Sequence, residues 1–178
     1  MRAEFIPRSA ALILLWLMFA WIELSDLLDG RVARAKNEVS PFGKLFDPFA
    51  DVVARITYFL AFASIGIMPL WVLLIVLYRE FGILFLRMLL GLKGIAMGAR
   101  TGGKLKAGIY MVAGTLSLAL YSARVLGGGP SAGPIMLASS TGVLYAFGLL
   151  TLIAYVLAAL ATVLSFVDYL VQFKKLYK

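Results

Sequence analysis

Cysteine and histidine are both absent from the 178 residues. Without thiols there is no disulfide, no thiolate nucleophile and no sulfur ligand. Without imidazole there is no histidine base, and nearly every zinc or haem arrangement is excluded. Acidic residues are scarce too, nine against 17 Lys and Arg, for a formal net charge of +8. Any general-base work therefore falls to a carboxylate. The sequence has no internal repeat, and its one low-complexity stretch is Gly-rich, 127–134. No soluble basic domain carries the positive charge, so anionic lipid and phosphorylated substrates fit it better than nucleic acid.

Apolar residues, by contrast, make up 62% of the chain, and the mean hydropathy is +0.96. Such a composition excludes an ordinary soluble domain. It predicts an all-α, polytopic transmembrane helix bundle, one integral-membrane domain over 1–178. Its stability comes from close helix packing in lipid, with small residues at the contacts. Five spans are expected at roughly 9–25, 52–68, 70–92, 107–123 and 143–166, each near the ~20 apolar residues a bilayer needs. The turn at Met68-Pro69 divides the second from the third, and the Gly/Pro stretch 127–134 divides the fourth from the fifth. The apolar stretch behind Arg2 and Arg8 has no small-residue cleavage site and reads as a retained helix.

Lys and Arg crowd into 31–55, 93–106 and the tail, leaving only Arg2, Arg8 and Arg124 for the other side. The positive-inside rule then puts 31–50 and 93–106 in the cytoplasm, with 125–134 and the N-terminus outside.

Four of the five aspartates, Asp26, Asp29, Asp47 and Asp51, fall in one short segment. On a helix the positions i, i+3, i+4 and i+7 share a stripe, so Asp26, Asp29, Gly30 and Ala33 lie on one face. Gly43, Asp47 and Asp51 recur every four residues on a second. Four facing carboxylates would repel and take up protons unless cations shared the site. Oxygen-only ligands suit Mg²⁺, Mn²⁺ or Ca²⁺ rather than zinc or copper. A solvated loop has no reason to keep small residues in phase with the acids, and a Ca²⁺ loop of EF-hand type would be compact, not spread over two helices.

Spaced as Asp26-x2-Asp29-Gly30-x2-Ala33-Arg34-x8-Gly43-x3-Asp47-x3-Asp51, this stretch resembles the signature of the CDP-alcohol phosphatidyltransferase family. The resemblance implies that the four acids hold a pair of divalent ions, Mg²⁺ or Mn²⁺, that clamp the diphosphate of a CDP-linked donor. It also implies that Asp51 deprotonates the acceptor hydroxyl. Gly30, Ala33 and Gly43 would give the nucleotide close access to backbone, and Arg34 would steady phosphate charge. Members usually have six spans, with one more helix before the motif. Either this start is truncated relative to its relatives, or the protein manages with five.

The third span carries Arg79, Glu80 and Arg87 within an apolar helix, where each charge costs roughly 2.5–3.5 kcal/mol at mid-bilayer. Such residues face a polar cavity or form an interhelical salt bridge. Gly102-Gly103-Lys104-Leu105-Lys106 follows at the start of the fourth span, as a phosphate site or a plain positive-inside anchor. Together these residues, and the tail 162–169, resemble the phosphatidylglycerophosphate synthase branch, although Ala107 stands where that branch has Thr. The branch implies CDP-diacylglycerol as donor and sn-glycerol 3-phosphate as acceptor, with Arg79, Arg87, Lys104 and Lys106 holding the acceptor phosphate. The implied setting is the cell (inner or plasma) membrane, the site facing the cytoplasm among membrane lipids, with room for a homodimer and no nucleic acid.

Inositol phosphate, serine or phosphatidylglycerol are the other acceptors within the family. A small transporter is the reading from another class, but its charges would line a path near the midplane. The topology is checked by Lys36→Cys and Gly128→Cys, introduced singly into this cysteine-free chain. A membrane-impermeant reagent is expected to reach them from opposite sides of intact cells. Labelling of both from one side refutes the five-span arrangement.

Overall fold

The computed structural model describes residues 7–35, 41–95, 101–128, 131–135 and 142–177. Within its helices the side chains of 26–35, 41–45, 47, 48 and 101–104 lie outside the description. Five α-helices follow one another: α1 Arg8–Ala35, α2 Pro41–Ser64, α3 Leu70–Leu92, α4 Thr101–Leu126 and α5 Gly142–Tyr177. There is no strand among the described residues. The expected all-α bundle is what forms, as a polytopic membrane protein.

Helix lengths follow from where helix-breaking chemistry falls. α2 stops at Ser64, Gly66 turns the chain at φ 76°, and Pro69 sits in extended conformation ahead of α3, where its missing N–H costs nothing. α5 has 36 residues, about 54 Å at 1.5 Å per residue, against a hydrocarbon core of about 30 Å. Its last turns, with Asp168, Lys174 and Lys175, therefore run on past an apolar span that the sequence bounded at 166.

By length and composition alone, three helical stretches among the described residues suffice to cross a membrane: Arg8–Ser25, Leu105–Leu126 and Gly142–Tyr177. In α2 and α3 every 18-residue stretch includes at least three charged residues, more than such a span tolerates. These are the helices of Asp47, Asp51 and Arg55, and of Arg79, Glu80 and Arg87. The two elements least suited to lipid on their own both carry candidate site residues, and packing must shield them.

For α3 that shield is α5. It packs along α4 and α3, while α2 lies against α3. It runs antiparallel to α4, Tyr110 meeting Thr162 and Ser117 meeting Tyr155, and parallel to α3, Arg79 meeting Ser165 and Lys93 meeting Tyr177. The core is aromatic at its centre. Phe59 is fully buried, edge-on to Tyr110 at 5.3 Å and to Tyr155 at 6.2 Å, and Tyr58 packs edge-on to Phe19 at 5.4 Å. Among the described residues each buried hydroxyl has a partner. Ser117 donates to the Ala113 carbonyl and takes a hydrogen bond from Tyr155 at 2.6 Å, and Thr162 donates to Ala158 while accepting from Tyr110 at 2.5 Å. In hydrocarbon an unpaired hydroxyl would cost several kcal/mol, roughly 4–8 on an alkane scale.

At the end of the bundle away from Asp51, the segment 131–135 is held by two partners. The Gly133 N–H donates to the Ile65 carbonyl at 2.8 Å. Arg124, almost fully buried, donates to the carbonyls of Gly133, Pro134 and Ile135 at 3.2–3.3 Å. Arg124 thus works as an internal clamp rather than as a surface charge of that end. A Cβ at Gly66 would lie 2.8 Å from the Gly133 carbonyl oxygen, on a backbone already at positive φ. Gly66→Ala is therefore expected to destabilise the protein by about 1–3 kcal/mol, read as a lower unfolding temperature in detergent. Gly91→Ala, in helical conformation with open space around it, is the control and should be neutral or stabilising by up to about 1 kcal/mol.

Candidate active site

The helices predicted from the acid spacing are present. Asp26, Asp29, Gly30, Ala33 and Arg34 lie on the last third of α1, and Gly43, Asp47 and Asp51 on the first half of α2. Of these only Asp51 has its side chain among the described residues; the others' side chains lie outside them. Asp51 is half-buried and lines a cavity of about 70 Å³ between α1 and α2, together with Trp21, Ile22, Ser25, Ala54 and Arg55. The Tyr58 hydroxyl donates to Glu23 at 3.1 Å, joining the two helices two turns beyond Asp51. Among the described residues no group of three or more acids converges.

A second polar site lies next to it, built from α3, α4 and α5. Glu80 is its centre, 4% exposed, and each carboxylate oxygen takes one cation. Arg79 Nη1 donates to Oε2 at 2.8 Å, and Lys106 Nζ donates to Oε1. Arg79 Nη2 donates to Ser165 Oγ of α5 at 2.8 Å, and Arg87 Nη2 donates to the Tyr169 hydroxyl at 3.2 Å. The guanidiniums of Arg79 and Arg87 lie 5.4 Å and 5.8 Å from the centroid of the Tyr169 ring.

Three of the four cations expected to hold an acceptor phosphate can be located. Arg79 and Lys106 meet on Glu80, and Arg87 joins them through Tyr169; the side chain of Lys104 lies outside the described residues. Arg87 does not pair with Glu80, although the two share a helix face, because the Tyr169 hydroxyl takes its guanidinium.

The two sites are contiguous. Arg55 lines the Asp51 cavity one helical turn further along α2, and its guanidinium lies 5.9 Å from the centroid of the Tyr110 ring. Lys106 Nζ lies 4.7 Å from the same ring centroid. Arg55 and Tyr110 therefore stand between the Asp51 cavity and the Glu80 cluster. Arg55, Tyr110, Ser165 and Tyr169 were not predicted as site residues. Arg55 was detectable, since Asp47, Asp51 and Arg55 form one i, i+4, i+8 stripe. Ser165 and Tyr169 likewise repeat at i, i+4 in an apolar helix, but only the approach of α5 to α3 gives that spacing a partner.

Comparison with known proteins gives the family. Residues 3–167 match the CDP-alcohol phosphatidyltransferase family. The CDP-diacylglycerol--glycerol-3-phosphate 3-phosphatidyltransferase of Treponema pallidum is 46% identical over 114 residues, covering 62% of this chain and 53% of the relative. The protein of the same name from Mycoplasma genitalium is 32% identical over 155 residues, 87% of this chain and 61% of the relative. A CMP-forming cardiolipin synthase of Streptomyces coelicolor is 39% identical over 64 residues, 36% of this chain and 30% of its own. The chain spans about half the length of the first of these relatives. No solved structure matches it. With the signature spacing on two adjacent helices and the family match running through nearly all of the chain, the protein belongs to the CDP-alcohol phosphatidyltransferase family.

Proposed function

We propose that the protein transfers the phosphatidyl group of CDP-diacylglycerol to sn-glycerol 3-phosphate, forming phosphatidylglycerol phosphate and releasing CMP. The observation that carries this reading is the buried cationic cluster contiguous with Asp51. A phosphate monoester needs several cations outside the carboxylate site, whereas serine does not. The printed names of the Treponema and Mycoplasma relatives support the same acceptor.

Asp26, Asp29, Asp47 and Asp51 are the ligand set for divalent ions, and the donor chemistry fits: oxygen ligands only, in a chain without Cys or His. The register supports it too, since Ile22 and Ser25 face Asp51 and Arg55 across the cavity, and one further turn along each antiparallel helix leads to the other acids. Bound Mg²⁺ or Mn²⁺ would offset the negative charge of the diphosphate. Gly30, Ala33 and Gly43 leave backbone open to the nucleotide, and Arg34 adds a phosphate contact. Arg79, Arg87, Lys104 and Lys106 bind the phosphate of glycerol 3-phosphate and hold its free hydroxyl towards Asp51. Asp51 takes the hydroxyl proton as the oxygen attacks the phosphatidyl phosphorus. The bond from that phosphorus to the bridging oxygen breaks, and the oxygen leaves with CMP. The Lys and Arg distribution assigns this end of the bundle to the cytoplasm, where glycerol 3-phosphate is found.

Asp47→Asn and Asp51→Asn should each abolish CMP release while leaving the unfolding temperature unchanged. A folded Asp51→Asn protein with near-normal turnover removes the base assignment. EDTA should stop the reaction and Mg²⁺ or Mn²⁺ restore it; activity persisting in excess chelator removes the metal role.

Hydrogen bonds from cations to phosphate contribute roughly 1.5–3 kcal/mol each, about ten- to a hundred-fold in acceptor use. Arg87→Gln is the cleanest test among the located cations, since Arg87 meets the Tyr169 hydroxyl rather than a carboxylate, and Lys104→Gln is made alongside it. Each should raise the apparent KM for glycerol 3-phosphate with the CDP-diacylglycerol KM nearly constant. Faster CMP release with serine, inositol phosphate or phosphatidylglycerol overturns the acceptor assignment.

A further inference from the structure

Tyr169 stands on α5, 3% exposed, with two cations against one ring. Arg79 and Arg87 repel each other, and Glu80 offsets only the first. What holds the second nearby is the negative face of the Tyr169 ring together with its hydroxyl, which accepts from Arg87 at 3.2 Å. One turn earlier, Ser165 fixes the far edge of Arg79 by accepting from Nη2 at 2.8 Å. Each guanidinium is thus gripped by a hydroxyl from α5 and by the same ring.

The grip leaves donors to spare. The Nε–H groups of Arg79 and Arg87 are both buried, and neither has an acceptor among the described residues. Arg79 as a whole is only 7% exposed. Two buried donors on two guanidiniums beside one ring suit an anion with several oxygens at tetrahedral spacing, and a doubly charged one best balances the excess of cations. Glu80 brings one negative charge to two cations, Arg79 and Lys106, and Arg87 meets only the neutral hydroxyl and ring of Tyr169.

We propose that Tyr169 is a positioning residue for the acceptor: its ring and hydroxyl, with the hydroxyl of Ser165, orient the guanidiniums of Arg79 and Arg87 towards one phosphate monoester. This rests on the acceptor reading above and extends it to α5, a helix to which no acceptor contact has been assigned. Tyr169 does not touch the reacting atoms. It acts through the two arginines.

The test uses inorganic phosphate as the probe, with EDTA present so that no metal can recruit it, and reads its affinity for the purified full chain by calorimetry. Wild type should bind phosphate. Tyr169→Leu, which removes ring and hydroxyl, should weaken binding roughly ten- to thirty-fold. Tyr169→Phe and Ser165→Ala, which each remove one hydroxyl, should weaken it by about three- to ten-fold. With Mg²⁺ restored, the KM for glycerol 3-phosphate should rise by matching factors while the KM for CDP-diacylglycerol stays within about two-fold of wild type.

If Tyr169→Leu does not fold, Tyr169→Phe and Ser165→Ala decide the matter. The proposal is overturned if folded variants bind phosphate as wild type does, if wild type binds none, or if donor and acceptor KM rise together. Should phosphate binding fall as expected while wild type releases no CMP with glycerol 3-phosphate, the positioning role stands and the choice of acceptor is what fails.

Discussion

Glu80 accepts one hydrogen bond from Arg79 on its own helix and one from Lys106 on α4, and all three side chains are more than nine-tenths buried. A lone cation in such a place would be excluded by the cost of leaving water, and removing one member of a buried pair costs about 3–5 kcal/mol. The carboxylate is therefore what allows a basic cluster to exist inside an apolar bundle. It fixes the rotation of α3, because Arg79 and Glu80 are neighbours in sequence and both must face inward. It also fixes the start of α4, because Lys106 must reach the same acceptor.

The tyrosines extend that constraint through the rest of the site. Tyr110 lies between Arg55 and Lys106, and Tyr169 between Arg79 and Arg87, so two rings hold four cations by their faces. Both hydroxyls are in use as well, Tyr110 donating to Thr162 and Tyr169 accepting from Arg87. An aromatic face adds negative potential without adding a charge that would neutralise the cluster, and each such contact contributes about 2 kcal/mol when desolvated. Positive potential survives here for a phosphate to use. The same arrangement couples α2 to α3, α4 and α5, so the base candidate Asp51 and the cationic cluster belong to one packed unit.

The opposite end of the bundle solves a different problem with similar economy. There the difficulty is backbone carbonyls in a tight loop, and Arg124 meets it by donating to three of them while Gly66 lets the Gly133 carbonyl come within van der Waals reach. One end uses a carboxylate to hold cations; the other uses a cation to hold carbonyls. Both depend on burial, which makes each polar contact strong and each unmatched group costly.

Much of this was legible in the residues alone. Apolar runs and the punctuation of Gly66, Pro69 and the stretch 127–134 delimit the helices, because a backbone in lipid has no other way to satisfy its hydrogen bonds. The acid motif is legible for a related reason: its spacing is set by the pitch of a single helix, which sequence distance reports directly. Residue separation cannot report which side chain lies across the bundle. That Glu80 takes Lys106 rather than Arg87, that Arg124 turns inward, and that Ser165 and Tyr169 reach the arginines of α3 are contacts between residues nine to 86 apart in the chain. Those contacts depend on the rotation and approach of whole helices. Packing of α5 against α3 and α4 decides them, and the sum of many small apolar contacts sets that packing where no local motif can.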